Sequence, residues 1–321
     1  MKTITLPDLP KNWDALSSEQ MVQLNTIRHK EGKSRENFLF HAFCYLLDLE
    51  VKEPTKDEDG QIAYLFTRKG CEDRFPMQAW EIQFFINEKL AWLTDDCTRL
   101  MDVFPTLILR GKTFVSPGYA MCGMTYQQHK KAQDFMVYYH QQTRRIISLM
   151  EKAKNGTDVT AEAKDLLESR KTTLCKFLAT VYTPQSLVTQ RVVDGQTILC
   201  EPPEKAAVFS PKQIDTYSEW FKELTEPQTD AIIQLFTGTM LNYQKMFPLL
   251  FPKEKENKNQ SMNFIQIESS TMNALQDKLK FNNYQTIYDS NAPFILEKLH
   301  AILKEGKAIE EQNRKLKSKR K

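Results

Sequence analysis

Residues 226–252 read EPQTDAIIQLFTGTMLNYQKMFPLLFP, and this stretch gives the strongest indication of the fold class. Its apolar side chains recur at helical spacing: Ile232, Ile233, Leu235, Phe236, Met240, Leu241 and Tyr243. A helix that is apolar on most of its circumference is covered by neighbours on most sides. Glu226 and Pro227 suit a first turn, whereas Pro248 and Pro252 end the pattern. The stretch predicts a core helix in a mainly α protein.

Helical periodicity extends over much of the remaining chain. Two capping boxes, Ser17 with Gln20 and Thr125 with Gln128, predict helix starts, because each pair satisfies backbone N–H groups of a first turn. The helix after Thr125 is expected to reach about residue 142, and residues 146–150 are a candidate continuation after a bend. Its expected buried residues are Ala132, Phe135, Met136 and Tyr139. Further helices are expected at 35–49, 77–93, 160–181, 211–224, 262–279 and 294–315, and the first half of 77–93 also suits a strand.

Small β elements interrupt the helices. A β-hairpin is expected at 187–200, where Asp194 and Gly195 separate two β-branched runs and favour a type I′ turn. Short strands are expected at 61–67 and 107–115, and the polar stretch 53–60 is expected to be a loop. Because two strands alone are marginally stable, we expect the hairpin to pack on helices or add to a partner, and the alternative is a projecting flap.

Polar stretches at 150–165 and 253–260 suggest a division into three parts. Residues 1–155 are expected to form an N-terminal helical domain with minor strands. Residues 160–252 are expected to form a second helical region that carries the hairpin and packs on the first domain. Residues 261–321 are expected to form a C-terminal helical extension that ends in a basic tail.

The net charge of +3 is unevenly distributed. The last eight residues, 314–321, carry six positive charges and no acid, so the rest of the chain is at 3 − 6 = −3. The basic residues are Arg314, Lys315, Lys317, Lys319, Arg320 and Lys321. One interpretation is a solvated helix end whose cations suit the negative end of the helix dipole. The other is a contact to nucleic acid or to an acidic protein partner.

A second basic and aromatic pattern lies in the helix after Thr125. Tyr138 and Tyr139 share this helix with Lys130 and Lys131. Basic side chains interleaved with aromatic rings bind nucleic acid in some proteins, whereas in most helices the rings pack inward and the charges face water. Both interpretations remain open at this point.

The chain lacks the sequence signatures of common enzymes and metal sites. No phosphate-binding glycine loop, GxSxG or HExxH occurs, and no two of the six cysteines lie closer than 25 residues apart. His129 and His140 are expected about 16 Å apart on one helix, too far to share a metal ion. The acidic run 57–59 lacks the glycine of a calcium loop. A non-enzymatic protein without cofactor or metal is expected, although a catalytic site built from scattered carboxylates would leave no signature.

The N-terminal residues predict no secretion signal, because Pro7, Asp8 and Pro10 interrupt the apolar start. No apolar run reaches the roughly 18 residues needed to cross a bilayer. We therefore expect a cytoplasmic protein with no membrane contact, whose cysteines are reduced thiols and in which Cys44 and Cys175 are core residues.

Three stretches carry a family resemblance: 9–20 (LPKNWDALSSEQ), 116–126 (SPGYAMCGMTY) and the apolar helix with its Phe/Pro-rich exit at 232–251. In these stretches the chain resembles a family of helical proteins encoded by phages and prophages of Bacteroidetes. The resemblance covers about a fifth of the chain, and it rests on composition and order of features rather than on a catalytic motif.

The resemblance implies a role in virion assembly as a tail-assembly chaperone or another tail or neck accessory protein. Its partners would then be helices of phage structural proteins, or further copies of itself, in the cytoplasm of the bacterial host or in the virion. The basic tail and the 187–200 hairpin depart from the family pattern. The alternative function is a nucleic-acid-associated accessory protein that acts through the tail.

Overall fold

The computed structural model describes residues 8–31, 34–56, 60, 62–68, 70, 74–193, 196–207, 209–251, 273–279 and 283–319. The fold is mainly α with small β elements, as the sequence predicts. Its contacts group into two units. Unit 1 comprises the described residues within 1–103 and 225–239, and unit 2 comprises those within 104–224 and 240–321.

Unit 1 combines three helices, a small sheet and part of a fourth helix. The elements are α1 (Ser18–Glu31), α2 (Arg35–Leu46), β1 (Leu49–Lys56), β2 (Ile62–Arg68), β3 (Arg74–Gln78), α3 (Ala79–Lys89) and the first part of α7 (Glu226–Met246). The sheet is antiparallel with the order β1-β2-β3.

Unit 2 contains the two longest helices of the described chain. Its elements are β4 (Thr106–Leu109), β5 (Lys112–Val115), α4 (Tyr126–Lys154), α5 (Thr160–Val181), β6 (Thr183–Val193), β7 (Gln196–Ala207), α6 (Lys212–Tyr217), the end of α7, α8 (273–279), α9 (Tyr284–Asp289) and α10 (Ala292–Lys319). The strands form one antiparallel sheet in the order β4-β5-β6-β7.

Both predicted capping boxes are present. The Gln20 side chain accepts a hydrogen bond from the Ser17 backbone N–H at 2.8 Å, and Ser17 Oγ accepts one from the Gln20 N–H at 3.1 Å. Thr125 and Gln128 make the same reciprocal pair at the start of α4. Helix α4 passes residue 142 and includes the candidate continuation at 146–150 before it ends at Lys154.

The segment that connects α2 to α3 differs from its prediction. The predicted helix 35–49 ends at Leu46, and Leu49–Lys56 is a strand where a loop was expected from residue 53. This strand pairs with β2, and its register shifts between Val51 and Pro54. Such an irregularity accommodates a proline that has no N–H to donate. Helix α3 begins at Ala79, because the residues around Pro76 pair with β2 as β3.

The predicted hairpin is longer than expected. Strands β6 and β7 span Thr183–Val193 and Gln196–Ala207, and β5 extends the hairpin into a larger sheet by pairing with the start of β6. The turn at 194–195 lies outside the described residues, so its type stays a prediction. The strand expected at 107–115 is itself a hairpin, β4 and β5, that turns at Arg110 and Gly111.

The predicted core helix is confirmed as α7, which buries Ile232, Leu235 and Phe236 in unit 1. At its other end, Tyr243 and Phe247 form one hydrophobic cluster with buried residues of the C-terminal helices: Leu275, Ile287, Ile295, Leu296 and Leu299. The described part of 261–321 shares this core with α4 and α7, and the polar stretch expected to separate it, 253–260, lies outside the described residues. The expected boundary near 155–160 is the turn between α4 and α5, inside unit 2.

Candidate functional site

An open groove lies between α4 and α5 in unit 2. It has a volume of about 410 Å³, and it is lined by Phe135, Tyr138, Asp165, Glu168, Ser169, Thr172, Thr173 and Lys176. A second depression of about 290 Å³ shares Phe135 and Lys176 with it and adds Lys131, Pro211, Lys212, Ile214 and Asp215. We call the combined depression the α4–α5 groove.

Two aromatic side chains of α4 form the apolar wall of the groove. Phe135 and Tyr138 are three residues apart, so they lie on the same face of the helix. Phe135 is half-buried, and Tyr138 is 52% exposed. The prediction that Phe135 is a core residue is therefore wrong in part. Its neighbours Ala132, Met136 and Tyr139 are buried as expected.

Charges of both signs line the α4–α5 groove. Asp165 and Glu168 are one turn apart on α5, and Glu168 is 3.6 Å from the ammonium of Lys222. The second depression adds the ammonium groups of Lys131 and Lys212. Carboxylates thus line one part of the groove, while ammonium groups predominate in the other.

A polar layer joins α4 to α5 beneath the groove. Gln142 Nε2 donates a hydrogen bond to Ser169 Oγ at 2.7 Å, and Ser169 also lines the groove. Arg170 donates to the Tyr139 hydroxyl at 2.6 Å, and its guanidinium lies over the same ring. Within the described residues, Gln142 Oε1 is buried without a hydrogen-bond partner. The layer fixes the register of the two helices that form the groove.

The loop before α4 fixes the position of that helix. Ala120 and Met121 have φ angles of 47° and 52°, a region that side chains other than glycine rarely occupy. A methyl group on Gly123 would lie 2.6 Å from the Pro117 carbonyl oxygen, so only glycine fits there. The strained backbone is held in place by its contacts, one of which is a hydrogen bond from the Tyr243 hydroxyl to the Ala120 carbonyl at 3.0 Å.

His129 lies one turn into α4 and is 2% exposed. Burial lowers the pKa of its imidazole to about 4, so the ring is neutral near pH 7. Its ring centroid is 5.5 Å from that of Tyr243, and within the described residues its Nε2 has no hydrogen-bond partner. A buried neutral ring in this position acts as a packing residue of the α4 start.

The described side chains present no assembled nucleophile or metal centre. Burial raises the pKa of Cys44 to about 12 and that of Cys97 to about 11, so neither thiol ionises near neutral pH. Among the residues that the structure describes, no group of three or more His, Cys, Asp or Glu side chains converges as metal ligands. Side chains of 57–59, 71 and 200 lie outside the described set. The chemistry that the α4–α5 groove offers is recognition through aromatic surface, charge and hydroxyl groups.

The basic residues at the chain end are only partly described. Arg314, Lys315 and Lys317 lie on exposed turns of α10. Lys315 Nζ is 2.9 Å from Glu311 Oε1, one turn earlier on the same helix. The side chain of Lys319 and residues 320–321 lie outside the described residues. The groove is lined by residues between 131 and 215, and no described contact joins Arg314, Lys315 or Lys317 to that lining.

Sequence reasoning missed most of the groove lining. Asp165, Glu168 and Lys176 sit in an ordinary amphipathic helix pattern and carry no motif. One signal was present, since Tyr138 and Tyr139 are adjacent and cannot both face the same core. Tyr139 is buried and Tyr138 is exposed in the groove.

No family model matches this chain, and no curated protein or solved structure is significantly similar to it. Within the described part of the chain, none of the helices combines the length and apolar character that crossing a bilayer requires.

Proposed function

We propose that this protein is a non-enzymatic assembly factor that binds a segment of another protein in the α4–α5 groove. The observation that carries the proposal is the first depression of the groove, about 410 Å³ and open, with its aromatic wall of half-buried Phe135 and exposed Tyr138. An amphipathic helix or strand offers apolar side chains on one face and polar ones on the other, and this lining suits both. Small-molecule sites, in contrast, enclose most of the ligand in a mainly apolar cavity.

The partner in this proposal is a structural protein of a phage tail or neck. The resemblance of 9–20, 116–126 and 232–251 to helical phage proteins supports this partner class, and the loop at 116–124 leads directly into the groove helix α4. A tail-assembly chaperone needs a surface that covers apolar segments until the tail polymerises, rather than a reactive group. Binding would take place in the cytoplasm of the bacterial host, before the particle is complete.

A peptide scan tests this function. Overlapping peptides from phage tail-tube, tape-measure and neck proteins would be titrated against the full-length protein by fluorescence polarisation. We expect an amphipathic peptide to bind, and Tyr138→Asp together with Glu168→Lys to weaken its binding at least tenfold. These side chains are largely exposed, so the fold should tolerate both changes.

The matched control is Trp80→Asp in unit 1. Trp80 is 62% exposed, so the variant also replaces an exposed aromatic ring with a carboxylate, but outside the groove. Peptide affinity should equal that of the wild type. Absence of binding by every peptide, or equal losses in the groove and control variants, would contradict the proposed function.

A second candidate function is nucleic-acid binding by the end of α10. The observation that favours it is the exposure of Arg314, Lys315 and Lys317 within one turn of a single helix. Removal of residues 314–321 deletes six positive charges. If the tail binds nucleic acid, affinity for a DNA duplex should fall steeply with salt, and the truncation should flatten that salt dependence.

The control for the truncation replaces Lys152, Lys154 and Lys164 with Gln. These lysines are exposed on α4 and α5, so the variant lowers the net charge without touching α10. Equal losses of DNA affinity in both variants would show a general charge effect and would argue against a dedicated tail site.

A further inference from the structure

The apolar stripe of α10 continues beyond the part of the helix that packs on unit 2. Ile295, Leu296 and Leu299 are buried in the core cluster, and Ile302 packs against its edge. Ile309 and Leu316 follow at intervals of seven residues, so they lie on the same face of the helix as Ile302. They are 58% and 59% exposed. The face that is buried near the start of α10 is thus open to solvent at its end.

Beside the row of Ile302, Ile309 and Leu316 runs a second row of side chains, and there a neighbouring helix can approach closely. This row continues from Leu299 to Gly306 and Asn313, again seven residues apart. A methyl group on Gly306 would meet no atom within 4 Å. An apolar row of Ile302, Ile309 and Leu316 beside a row of Leu299, Gly306 and the polar Asn313 forms a seam along which helices can pair. The open seam runs from about residue 304 to 319, a length of about 24 Å.

Charges beside the seam indicate which partner fits. In this register Glu305 and Glu310 flank the first half of the open seam, and Lys317 flanks the second half. Over all charges, 304–311 carries three glutamates and two lysines (2 − 3 = −1), whereas 312–319 carries four basic residues and no acid (+4). Two such helices side by side in parallel would bring their basic ends together. In the antiparallel orientation, each basic end instead lies against the acidic flanks of the other helix.

We propose that the end of α10 pairs with α10 of a second copy of this chain, antiparallel and along the seam of Ile309 and Leu316. The pairing is isologous, because each helix offers an acidic half and receives a basic one. The start of α10 is already held in the core of unit 2 by Ile295 and Leu299. Pairing therefore costs little additional conformational entropy. Glu305 also pairs with Lys278 and Glu311 with Lys315 within one chain, and these intrachain ion pairs compete with the contact. This inference does not depend on the proposed groove function.

Sedimentation velocity of the full-length protein tests the pairing. We expect a monomer–dimer equilibrium across about 1–100 µM, and Ile309→Glu should weaken dimerisation at least tenfold. Ala308→Glu is the matched control, since it adds the same charge one residue away, off the seam, and should leave the equilibrium unchanged. A monomer at every concentration, or equal effects of the two variants, would overturn the proposal.

Salt tests the orientation. An antiparallel pair is held partly by opposite charges, so raising NaCl from about 0.05 to 0.5 M should weaken the dimer. A parallel pair would place like charges together, and salt would then strengthen it. A dimer that becomes tighter with salt would overturn the antiparallel arrangement.

Discussion

Unit 1 buries the side chain of Arg99, and unit 2 buries that of His129. The two polar side chains differ in how many hydrogen bonds they make. In unit 1 the Arg99 guanidinium donates to four backbone carbonyls. They belong to Trp13 at 2.7 Å, Leu16 at 2.8 Å, Met101 at 2.8 Å and Asp102 at 3.1 Å. In unit 2 the buried ring of His129 leaves Nε2 without a described partner.

A buried polar side chain can stabilise a fold through its hydrogen bonds, as Arg99 does, or through the packing of its neutral ring, as His129 does. Arg99 links segments that are about 85 residues apart in sequence, and Asp14 completes the link by accepting hydrogen bonds from the Leu100 and Met101 N–H groups at 2.7 and 2.9 Å. These bonds stabilise the fold because each carbonyl would otherwise be desolvated without a partner. His129 instead contributes ring surface next to Tyr243, and its neutral form is the one that folding selects.

Among the substitutions considered, replacement of Arg99 should lower the free energy of unfolding the most. Arg99→Met keeps the length of the side chain but leaves four carbonyl groups without their donor, so we expect a loss of about 3–5 kcal/mol in the free energy of unfolding. Urea denaturation followed by circular dichroism measures the change. Arg99→Lys should recover less than half of the loss, because an ammonium cannot reach the same fork of acceptors.

Arg110→Met in unit 2 is the control for the arginine change. Arg110 is half exposed, and its Nε is 2.7 Å from Glu223 Oε1. An exposed ion pair of this kind contributes about 1 kcal/mol or less. If Arg110→Met cost as much as Arg99→Met, the contrast between buried backbone bonding and a surface ion pair would be lost.

Acid should destabilise the chain partly through His129. Its pKa is about 4 in the folded protein, against 6.5 for an unperturbed imidazole, so the unfolded state binds more protons between these values. Stability contributed by the neutral ring is complete above about pH 6.5 and is lost as the pH falls towards 4. The loss amounts to about 3 kcal/mol across that window. The pH dependence of the urea midpoint measures it.

His129→Gln removes the titrating group, and its pH dependence between 6.5 and 4 should be flatter than that of the wild type. Gln142→Leu is the matched control on the same helix, since it alters a buried side chain that does not titrate. It should change stability by a similar amount at every pH. Parallel pH profiles for the wild type and His129→Gln would contradict the role assigned to the buried imidazole.

Local signals in the sequence predicted local structure well. The capping boxes at Ser17 and Thr125 act over one helical turn, and both are present. Leu49–Lys56 could not be found in this way, because its sequence LEVKEPTK is polar and contains Pro54. It becomes a strand through pairing with β2, and that pairing is a property of the tertiary fold.

The candidate site was less predictable than the fold. Phe135 follows the same helical stripe as Ala132 and Met136, so periodicity alone assigns it to the core. Its partial exposure follows from the packing of α5 and α6 beside α4, which sequence periodicity does not encode. Arg99 carries no sequence signal either, because its four acceptors are backbone groups.

The two units also differ in how closely other atoms pack against a glycine inside a helix, Gly238 in unit 1 and Gly306 in unit 2. In unit 1 a methyl group on Gly238 of α7 would lie 2.3 Å from the Arg99 carbonyl oxygen and 2.8 Å from the Arg99 nitrogen. Backbone atoms cannot move aside as a flexible side chain can, so Gly238→Ala should cost about 1–3 kcal/mol despite the better helix propensity of alanine. The urea midpoint measures the cost. An unchanged midpoint would mean that α7 shifts away from residues 98–99 without loss.

Gly306→Ala in unit 2 is the same substitution, but we expect it to raise the free energy of unfolding rather than lower it. No atom lies within 4 Å of the added methyl group, and the residue sits inside α10. Alanine loses less backbone entropy in a helix, so stability should rise by about 0.5–1 kcal/mol. Urea denaturation of dilute protein measures this gain without a contribution from self-association. A loss of stability at Gly306 would show that the space beside α10 is already filled in the monomer, and the seam of Ile309 and Leu316 would then have no room for a second helix.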